Sequence, residues 1–459
     1  MKSLAARNGG RAGLAALVVI VLLGAGLRLD YAWDGRAPVY DAVAYNRIAE
    51  NLEQGRGFTL GGTATQPASN YSPGLPLLAG ALYEVSGGAH ERFVRIVLAL
   101  IGALAALFTY LIGRRLFNPL AGLIGAAVVA VFPALLEYQG MLMSEPLAAT
   151  LLSAAILAIL WASDMRPVAA AQAPDPALRW LLPGALLGAL ALARPEYLGV
   201  AVLLVALVAA WQWPDWRRSL GQAALLLLGI ALVVGPWTAR NAIVLDRVVP
   251  ISTGGGQVLF AGAYIPSKGD PERVGEEVLE RHPGLTKRLA AENGISPPRP
   301  ASVVERVRLE QILTALAAQR YPDLEADRAL ARMGRERLWH DVSGEPTAYL
   351  GFLAHKIARL WSPGPRKVME RLPWPLLHWV TVLFALLGLI VLFRGGRQQE
   401  ALLLATVLVA ITAVSALLVA SPRRVLVMMP LLAALAGVGA AWLLARSRGP
   451  EGRAARQRG

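Results

Sequence analysis

Two stretches without a charged residue decide the fold: GLAALVVIVLLGAGL at Gly13–Leu27 and ALLLATVLVAITAVSALLVA at Ala401–Ala420. An apolar segment of about 20 residues is long enough to cross a bilayer as a helix. Of the 459 residues, 55% are hydrophobic and only 17% are charged, whereas soluble domains have about 25% charged residues. The sequence therefore predicts an all-α polytopic membrane protein.

Apolar windows of this kind predict about ten transmembrane helices. They lie at residues 12–28, 93–112, 119–135, 143–162, 179–194, 196–212, 219–236, 373–393, 399–420 and 424–444. The fifth and sixth are separated only by Arg194-Pro195-Glu196, which interrupts a nearly continuous apolar stretch.

Basic residues orient these spans. Segments predicted to share one side are all basic: the N-terminus, Gly113–Arg115, 165–179, Trp216–Arg218, Arg394–Arg397 and the tail 446–459. Lys and Arg in short connections favour the cytoplasmic side. Both termini are therefore predicted to be cytoplasmic, and the long loops 29–92 and 237–372 are predicted to face outside.

The chain thus divides into four predicted parts. They are a transmembrane module at 1–236 that includes the first outer loop (29–92), an extracytoplasmic helical region at 237–372, C-terminal transmembrane helices at 373–445 and a basic cytoplasmic tail at 446–459. We call residues 237–372 the outer cap. Amphipathic patterns predict helices at 271–290, 301–320 and 323–340, and an interfacial helix at 347–361.

The net charge of +14 does not indicate nucleic-acid binding. Much of the excess lies in short segments between apolar blocks, where it sets topology and contacts anionic headgroups of membrane lipids. No nucleic-acid recognition motif accompanies it. The chain has no cysteine, which excludes disulfides, thiolate catalysis and cysteine-based zinc sites. The five histidines are scattered and lack the spacing of a zinc site.

The first outer loop contains a short amphipathic segment. Ala44, Ile48 and Leu52 recur at helical spacing after Asp41, which predicts a helix lying in the membrane interface. Asp41 stands where a helix N-cap is favoured. Local sequence alone leaves two interpretations open, a cap or a functional carboxylate.

Several charged residues lie close to the predicted bilayer on the outer face. They are Glu137, Glu145, Arg194, Glu196, Arg240, Arg423 and Arg424. Any single one is as readily explained by snorkelling or an internal ion pair as by a ligand contact. Together they form an outer face rich in carboxylates and arginines beside a lipid-accessible surface, which suits chemistry on a lipid phosphate.

The order of several weak motifs resembles a known family. Asp41 with Tyr45 and Ala49, the Ser72-Pro73-Gly74 turn and Gly113–Phe117 before Ala121-Gly122 resemble the C-fold (GT-C) glycosyltransferases that use polyprenyl-phosphate sugars. The bacterial relatives of protein O-mannosyltransferases and lipid A aminoarabinose transferases are the most similar type. The resemblance extends through Gly235–Asn241, Val249–Gly255, Glu325–Leu330, Lys356–Trp361 and Arg423–Pro430, and covers about residues 12–445. Arg424 stands where the family often has an aromatic residue.

The resemblance implies a mechanism for this chain. A sugar moves from a polyprenyl-phosphate carrier to an acceptor hydroxyl, with inversion, and Asp41 takes the acceptor proton. Many relatives have two adjacent acidic residues there, whereas Tyr40 precedes Asp41, so Asp34 is the nearest alternative acid. For the leaving phosphate, Arg194 is the first candidate. Arg240 and Arg423 follow it, and the further site candidates are Tyr45, Glu137, Glu145 and Glu196.

The implied partners are a polyprenyl-phosphate sugar donor and a glycan, lipid or protein acceptor. The active site is expected at the extracytoplasmic face of the cell membrane. A divalent metal is not expected, because a monophosphate donor leaves little charge to neutralise. If one were bound, Asp41, Glu137 and Glu145 would be the nearest oxygen ligands.

Two other functions fit parts of the sequence. A secondary transporter or lipid flippase would explain spans with embedded charges, but it predicts broken helices at matched positions of two halves, and no such repeat is evident in the sequence. A non-catalytic scaffold that uses the outer cap as a binding surface leaves the Asp41 helix and the outer charges unexplained.

Overall fold

The computed structural model describes residues 2–35, 41–61, 67–163, 176–211, 215–268, 270 and 273–447. In these ranges the regular secondary structure is helical, and there is no strand beyond one isolated bridge between Thr59 and Pro67. The predicted all-α fold is therefore confirmed. The predicted tail beyond Ser447 and most of the basic segment 165–179 lie outside the described residues.

The helices of the N-terminal part begin and end close to the predicted apolar windows. In chain order they are α1 (Lys2–Trp33), α2 (Asp41–Glu53), α3 (Gly74–Ser86), α4 (Glu91–Leu116), α5 (Pro119–Val131), α6 (Pro133–Glu137), α7 (Glu145–Ser163), α8 (Leu181–Ala193), α9 (Glu196–Trp211) and α10 (Trp216–Val244). The interfacial segment predicted after Asp41 forms α2. Helix α10 continues through Pro236 into the predicted outer cap.

In the outer cap, the predicted helices 271–290 and 301–320 are each divided into two shorter ones, whereas those at 323–340 and 347–361 form close to their predicted bounds. The helices of the outer cap are α11 (Gly255–Ala263), α12 (Val274–Arg281), α13 (Pro283–Glu292), α14 (Pro300–Val304), α15 (Leu309–Arg320), α16 (Ala326–Gly344) and α17 (Pro346–Trp361), followed by α18 (Trp374–Arg394), α19 (Gln398–Leu417) and α20 (Arg423–Ser447). The predicted helix 271–290 divides at Pro283, because proline lacks an N–H and is favoured at the first position of a new helix. Val278, Leu279 and Leu313 belong to a separate hydrophobic core of the outer cap.

Seven of the described helices are long and apolar enough to cross a membrane, or eight if the bent pair α5–α6 counts as one span. The protein is therefore a multi-pass membrane protein. The difference from about ten predicted spans lies in α8 and α9, which have only 13 and 16 residues. Helix α8 ends at Ala193 because the residue before a proline is disfavoured in helical conformation. Arg194 accordingly adopts an extended backbone, with φ −147° and ψ 101°.

The bend of 50° between α5 and α6 is held by a buried arginine. Pro133 has no N–H, so it cannot donate to the Val129 carbonyl. Arg28 of α1 replaces that donor: its Nη2 donates to the Val129 oxygen at 2.8 Å and its Nη1 to the Ala130 oxygen at 3.2 Å. The break therefore leaves neither of these two carbonyl groups without a partner.

Helix α20 is the most enclosed of the candidate spans, with 89% of its apolar window buried. Small residues let it approach its neighbours closely, as is common between membrane helices. A Cβ atom at Gly437 would lie 2.0 Å from the Ala121 carbonyl oxygen of the α4–α5 hairpin. Arg423 and Arg424 are the first two residues of this enclosed helix.

The Ser72-Pro73-Gly74 turn fixes the first outer loop against α8. A Cβ atom at Gly74 would lie 2.6 Å from the backbone nitrogen of Ala193, so only glycine allows this approach. The contact places the start of α3 beside the residue that precedes Arg194. A sequence motif of the first outer loop thus packs directly against the interruption between α8 and α9.

The outer cap is joined to the rest of the protein through hydrogen bonds. Buried Lys356 of α17 donates from Nζ to the carbonyl oxygens of Gly262, at 2.8 Å, and Leu418, at 2.5 Å. Near the first outer loop, Asn70 Nδ2 donates to Glu310 Oε1 of α15 at 3.0 Å. The outer cap therefore contacts both the end of α19 and the loop that follows α2.

Candidate active site at the ends of the membrane helices

Five residues from four distant parts of the sequence meet at one end of the helix bundle. Asp41 begins α2, Glu145 begins α7, Arg194 follows α8, Glu196 begins α9 and Arg423 begins α20. Carboxylates are stabilised at helix N-termini by the helix dipole, which favours the three acidic residues in these positions. We call these five residues the charge cluster.

Arg423 connects an exposed carboxylate with a buried one. Its Nη2 lies 3.1 Å from Asp41 Oδ2 and its Nε lies 2.7 Å from Glu145 Oε1. The Asp41 side chain is 43% exposed, that of Arg423 is 28% exposed and that of Glu145 is fully buried. Arg423 therefore spans the cluster from the surface to its interior.

Arg194 lies deeper in the same cluster, with a side chain only 12% exposed. Its Nη1 is 3.2 Å from Glu145 Oε1 and its Nη2 is 2.9 Å from Glu196 Oε1. Arg424, the next residue after Arg423, donates to Ser415 Oγ at 3.1 Å and lies 3.8 Å from Glu196 Oε1. Arginines and carboxylates therefore alternate through this end of the bundle.

Glu145 is the shared partner of two arginines, and both contacts are made through one of its two oxygens. Oε1 contacts both Arg423 and Arg194, whereas Oε2 is buried without a hydrogen-bond partner among the described residues. A buried carboxylate is tolerated only when paired with cations and hydrogen-bonded. Glu145 therefore fixes the two guanidinium groups relative to each other.

Two tyrosines lie beside the cluster, the predicted candidate Tyr45 and a second one, Tyr138. Tyr45 is buried on α2 and its hydroxyl lies 3.4 Å from Ser72 Oγ. Burial, with a smaller contribution from Asp41, raises the pKa of Tyr45 to about 12, so the phenol stays protonated at neutral pH. Tyr138, which the sequence analysis missed, places its ring 6.0 Å from the guanidinium carbon of Arg423. Its sequence position next to Glu137, a charged residue near the predicted bilayer, could have indicated that it lies close to the site.

Three predicted site residues lie apart from the charge cluster. Arg240 lies 4.8 Å from the ring centre of Trp237 and 5.7 Å from that of Phe58. Glu137 pairs with Arg366 at 2.8 Å, and Asp34 lines a cavity of about 190 Å³ beside Glu137. Within the described ranges, Arg240, Glu137 and Asp34 form no hydrogen bond or ion pair with the cluster.

The same carboxylates are the residues that could ligate a metal ion. In the described part of the chain, no group of three histidine or acidic side chains could hold a metal ion. Asp41, Glu145 and Glu196 each have an arginine partner instead. The arrangement suits recognition of an anion better than ligation of a cation.

A family model matches part of the chain. Residues 70–238 match the family model described as dolichyl-phosphate-mannose-protein mannosyltransferase. The match agrees with the predicted resemblance to GT-C membrane glycosyltransferases that use lipid-phosphate-linked sugars, and it covers 169 of the 459 residues. The matched segment contains Glu145, Arg194 and Glu196 of the charge cluster, whereas Asp41 and Arg423 lie outside it.

Solved structures with a similar fold include the archaeal oligosaccharyltransferase AglB from Archaeoglobus fulgidus in complex with an inhibitory peptide and a dolichol-phosphate. It is 16% identical over 94% of this chain and 50% of its own, with a TM-score of 0.56. The apo form of the Archaeoglobus fulgidus oligosaccharyltransferase is 17% identical over 97% and 52%, with a TM-score of 0.58. This chain thus spans about half the length of those proteins, and the likeness is one of fold.

A further similar structure is ArnT from Cupriavidus metallidurans bound to undecaprenyl phosphate. It is 14% identical over 92% of this chain and 77% of its own, with a TM-score of 0.42. A comparison with curated protein sequences gave no significant match.

Proposed function

We propose that this protein transfers a sugar from a polyprenyl-phosphate carrier to an acceptor hydroxyl on the extracytoplasmic face of the cell membrane. The observation that carries the proposal is the bridge formed by Arg423. One cation reaches the exposed carboxylate of Asp41 while the buried carboxylate of Glu145 anchors it. The family match over residues 70–238 supports the same activity, and the similar archaeal oligosaccharyltransferase was solved with a dolichol-phosphate.

Asp41 is the general base in this proposal. The acceptor oxygen attacks the anomeric carbon while the bond from that carbon to the phosphate oxygen breaks. Asp41 takes the hydroxyl proton, and the phosphate leaves with the bonding electrons. Attack from the face opposite the phosphate inverts the anomeric centre. The 43% exposure of the Asp41 side chain supports this role, because an acceptor can reach the carboxylate.

The leaving phosphate gains negative charge, which a fixed cation must stabilise. Exposure favours Arg423, at 28%, over the sequence-based first candidate Arg194, at 12%. Arg194 is paired with Glu145 and Glu196, so it stabilises the buried part of the cluster. It reaches the phosphate only if one of these two ion pairs opens. Arg240, which contacts the rings of Trp237 and Phe58 outside the charge cluster, remains a third candidate.

The short helices α8 and α9 support a recessed site. We propose that both cross the membrane, which gives ten spans with both termini in the cytoplasm. A helix of 13 residues is only about 20 Å long, whereas the hydrocarbon core is about 30 Å thick. Arg194 would therefore lie below the outer surface, at a depth that the phosphate of a membrane-embedded donor can reach.

The transporter alternative has less support. The break between α5 and α6 is the kind of discontinuity that transporters use. Each of the later helices α18, α19 and α20 is continuous within its described range, so the C-terminal part offers no matching break. A glycosyltransferase uses the clustered carboxylate and arginine directly, whereas a flippase needs no base.

The decisive experiment incubates the purified protein with a panel of polyprenyl-phosphate sugars and a mixed set of acceptors. Release of free polyprenyl phosphate from one donor is expected, and it should be lost in Asp41→Asn. A parallel assay follows movement of the labelled lipid across proteoliposome membranes. Lipid movement without release of polyprenyl phosphate would replace the proposal with the flippase alternative.

A further inference from the structure

The end of α10 next to the outer cap carries an arginine that lies outside the charge cluster. Arg240 forms no ion pair within the described ranges, and its Nη1 donates only to the neutral side chain of Asn241, to Oδ1 at 2.9 Å. Its Nε and Nη2 have no partner in the described structure and remain accessible, because the side chain is only partly buried. A cation beside the hydrocarbon of a membrane is costly unless an anion pairs with it.

Two aromatic rings hold this guanidinium group in place. Its carbon atom lies 4.8 Å from the ring centre of Trp237 and 5.7 Å from that of Phe58. The two rings pack edge to face, with centres 4.9 Å apart, and Trp237 Nε1 donates to the Ile251 carbonyl oxygen at 2.7 Å. A guanidinium stacked on aromatic rings has a fixed plane, and its paired donors match the geometry of a phosphate.

Arg240 continues a surface stripe of α10. At intervals of four residues come Leu228, which is 47% exposed, Leu232, which is 61% exposed, Pro236 and Arg240. Residues four apart lie on one face of a helix, and Ile243, three residues further, is 83% exposed. Helix α10 is one of the candidate membrane spans, so the exposed aliphatic side chains of this stripe face lipid chains.

The position of Arg240 along α10 matches the depth of lipid phosphates. Arg218, in a segment predicted to be cytoplasmic, and Arg240 are 22 residues apart, about 33 Å along a helix. The hydrocarbon core is about 30 Å thick, and the headgroup regions extend the bilayer to about 40–45 Å. With Arg218 in one headgroup region, Arg240 therefore lies in the other.

We propose that Arg240 binds the phosphate of an anionic membrane phospholipid, at a site separate from the charge cluster. Nε and Nη2 donate to two phosphate oxygens, and an acyl chain lies along Leu232 and Leu228. Phe58 connects this lipid with the first outer loop, since its ring packs in a small hydrophobic core with Ile48 of α2. The bound lipid thus supports the helix that begins at Asp41.

The test uses single cysteines, because the chain has none of its own. A fluorophore on a cysteine at Leu232 detects acyl chains on the Arg240 stripe, and one at Leu383, which is 64% exposed on α18, is the matched control. Each labelled full-length protein is placed in phosphatidylcholine nanodiscs that contain a rising fraction of phosphatidylglycerol with brominated chains. Bromine quenches the fluorophore on contact, and a parallel series with brominated phosphatidylcholine gives the relative affinity of the two lipids.

At Leu232, phosphatidylglycerol should bind about fivefold more tightly than phosphatidylcholine, the effect expected of one basic side chain on an anionic lipid. At Leu383 the two lipids should bind equally. Arg240→Gln removes the charge and should abolish the preference at Leu232. Unchanged quenching at Leu383 in the same variant checks that the protein is folded. Arg240→Lys keeps the charge without the rigid pair of donors, so its preference should be smaller than that of the parent.

Three results would overturn the proposal: no preference for phosphatidylglycerol at Leu232, the same preference at Leu383, or parental preference in Arg240→Gln or Arg240→Lys. A further arm adds undecaprenyl phosphate at one molecule per protein, and quenching at Leu232 should not change. Displacement of phosphatidylglycerol from Leu232 would instead place Arg240 in the donor site and also overturn the proposal. No sugar is transferred in these measurements, so failure of the proposed glycosyl transfer would leave their outcome intact.

Discussion

At the scale of single residues, Asp41 combines an exposed carboxylate with a contact to Arg423. Asp41→Asn retains the shape of the side chain and most of its capping ability, because Asn caps helices about as well as Asp. It removes the base, so turnover should fall by about 10²–10⁴-fold while expression and donor binding remain near the parental level. Release of polyprenyl phosphate under saturating donor measures the effect.

Asp34→Asn is the matched control for that substitution. Asp34 lines the neighbouring cavity and has no contact with Arg423 in the described structure, so turnover should stay close to the parental rate. If Asp34→Asn were inactive and Asp41→Asn active, the base would be Asp34 and Asp41 would be reduced to a helix cap.

Arginine substitutions separate the two cations of the cluster. Arg423→Lys keeps the charge but cannot contact Asp41 and Glu145 through two separate nitrogens of one rigid plane. Donor affinity and turnover should both fall, by about tenfold or more.

Arg194→Lys should also lower donor affinity and turnover, and parental donor affinity in that variant would remove Arg194 from the phosphate site. Titration with labelled donor lipid distinguishes the two outcomes.

Much of the charge cluster could be predicted from the sequence. Charged residues beside apolar segments are costly, and this criterion identified Glu145, Arg194, Glu196 and Arg423. The pairing could not be predicted, because the Arg423–Asp41 contact joins residues 382 positions apart. The same criterion also selected Arg240, which lies outside the cluster. Its partners Trp237 and Phe58 are aromatic rings, and a criterion based on charged residues does not identify such partners.

At the scale of elements, the junction between α3 and α8 positions the first outer loop. Gly74→Ala would place a Cβ atom 2.6 Å from the Ala193 backbone nitrogen, so α3 must move away from α8. Overpacking of this kind typically costs about 1–3 kcal/mol. The melting temperature in detergent and the turnover should both fall, because Arg194 follows Ala193 directly.

Gly199→Ala is the control for that junction. Gly199 lies on α9, and nothing lies within 4 Å of a Cβ atom added there. Alanine is a better helix former than glycine by about 0.8–1 kcal/mol, so the melting temperature should stay the same or rise. Equal decreases in melting temperature and turnover in Gly74→Ala and Gly199→Ala would show that the close approach at Gly74 has no special role.

The bounds of a helix could be predicted where a single sequence pattern, either hydropathy or amphipathic spacing, covers the whole helix. The long apolar helices follow from hydropathy alone, and α2 follows from its amphipathic spacing. The break at Arg194–Glu196 was also evident in the sequence, and the hydropathy windows on either side of it slightly exceed the 13 and 16 residues of α8 and α9, because such windows do not show where a helix stops. Similarly, the amphipathic pattern at 271–290 did not reveal the division at Pro283.

At the scale of the whole molecule, the basic segments predict cytoplasmic termini and an extracellular outer cap. The absence of native cysteines allows single cysteines to be placed freely. A cysteine at Ala291, exposed on α13, should react with a membrane-impermeant thiol reagent in intact cells, whereas one at Ser447 should not. Permeabilised cells are the control, since both positions should then react.

The opposite labelling pattern would invert the topology. The charge cluster would then face the cytoplasm, and the extracytoplasmic location of the proposed reaction would be wrong. The helix packing described above would be unaffected, because it does not depend on which side of the membrane is outside.

The contact between Arg423 and Asp41 also has a consequence for the order of events during biosynthesis. Asp41 leaves the ribosome 382 residues before Arg423, an interval of roughly 20–75 s at about 5–20 residues per second. Until the last helix enters the membrane, the nascent protein exposes a carboxylate without the cation that completes its site. Truncated chains released before residue 423 therefore lack the assembled site, and only full-length translation products acquire the capacity to act on lipid-linked substrates.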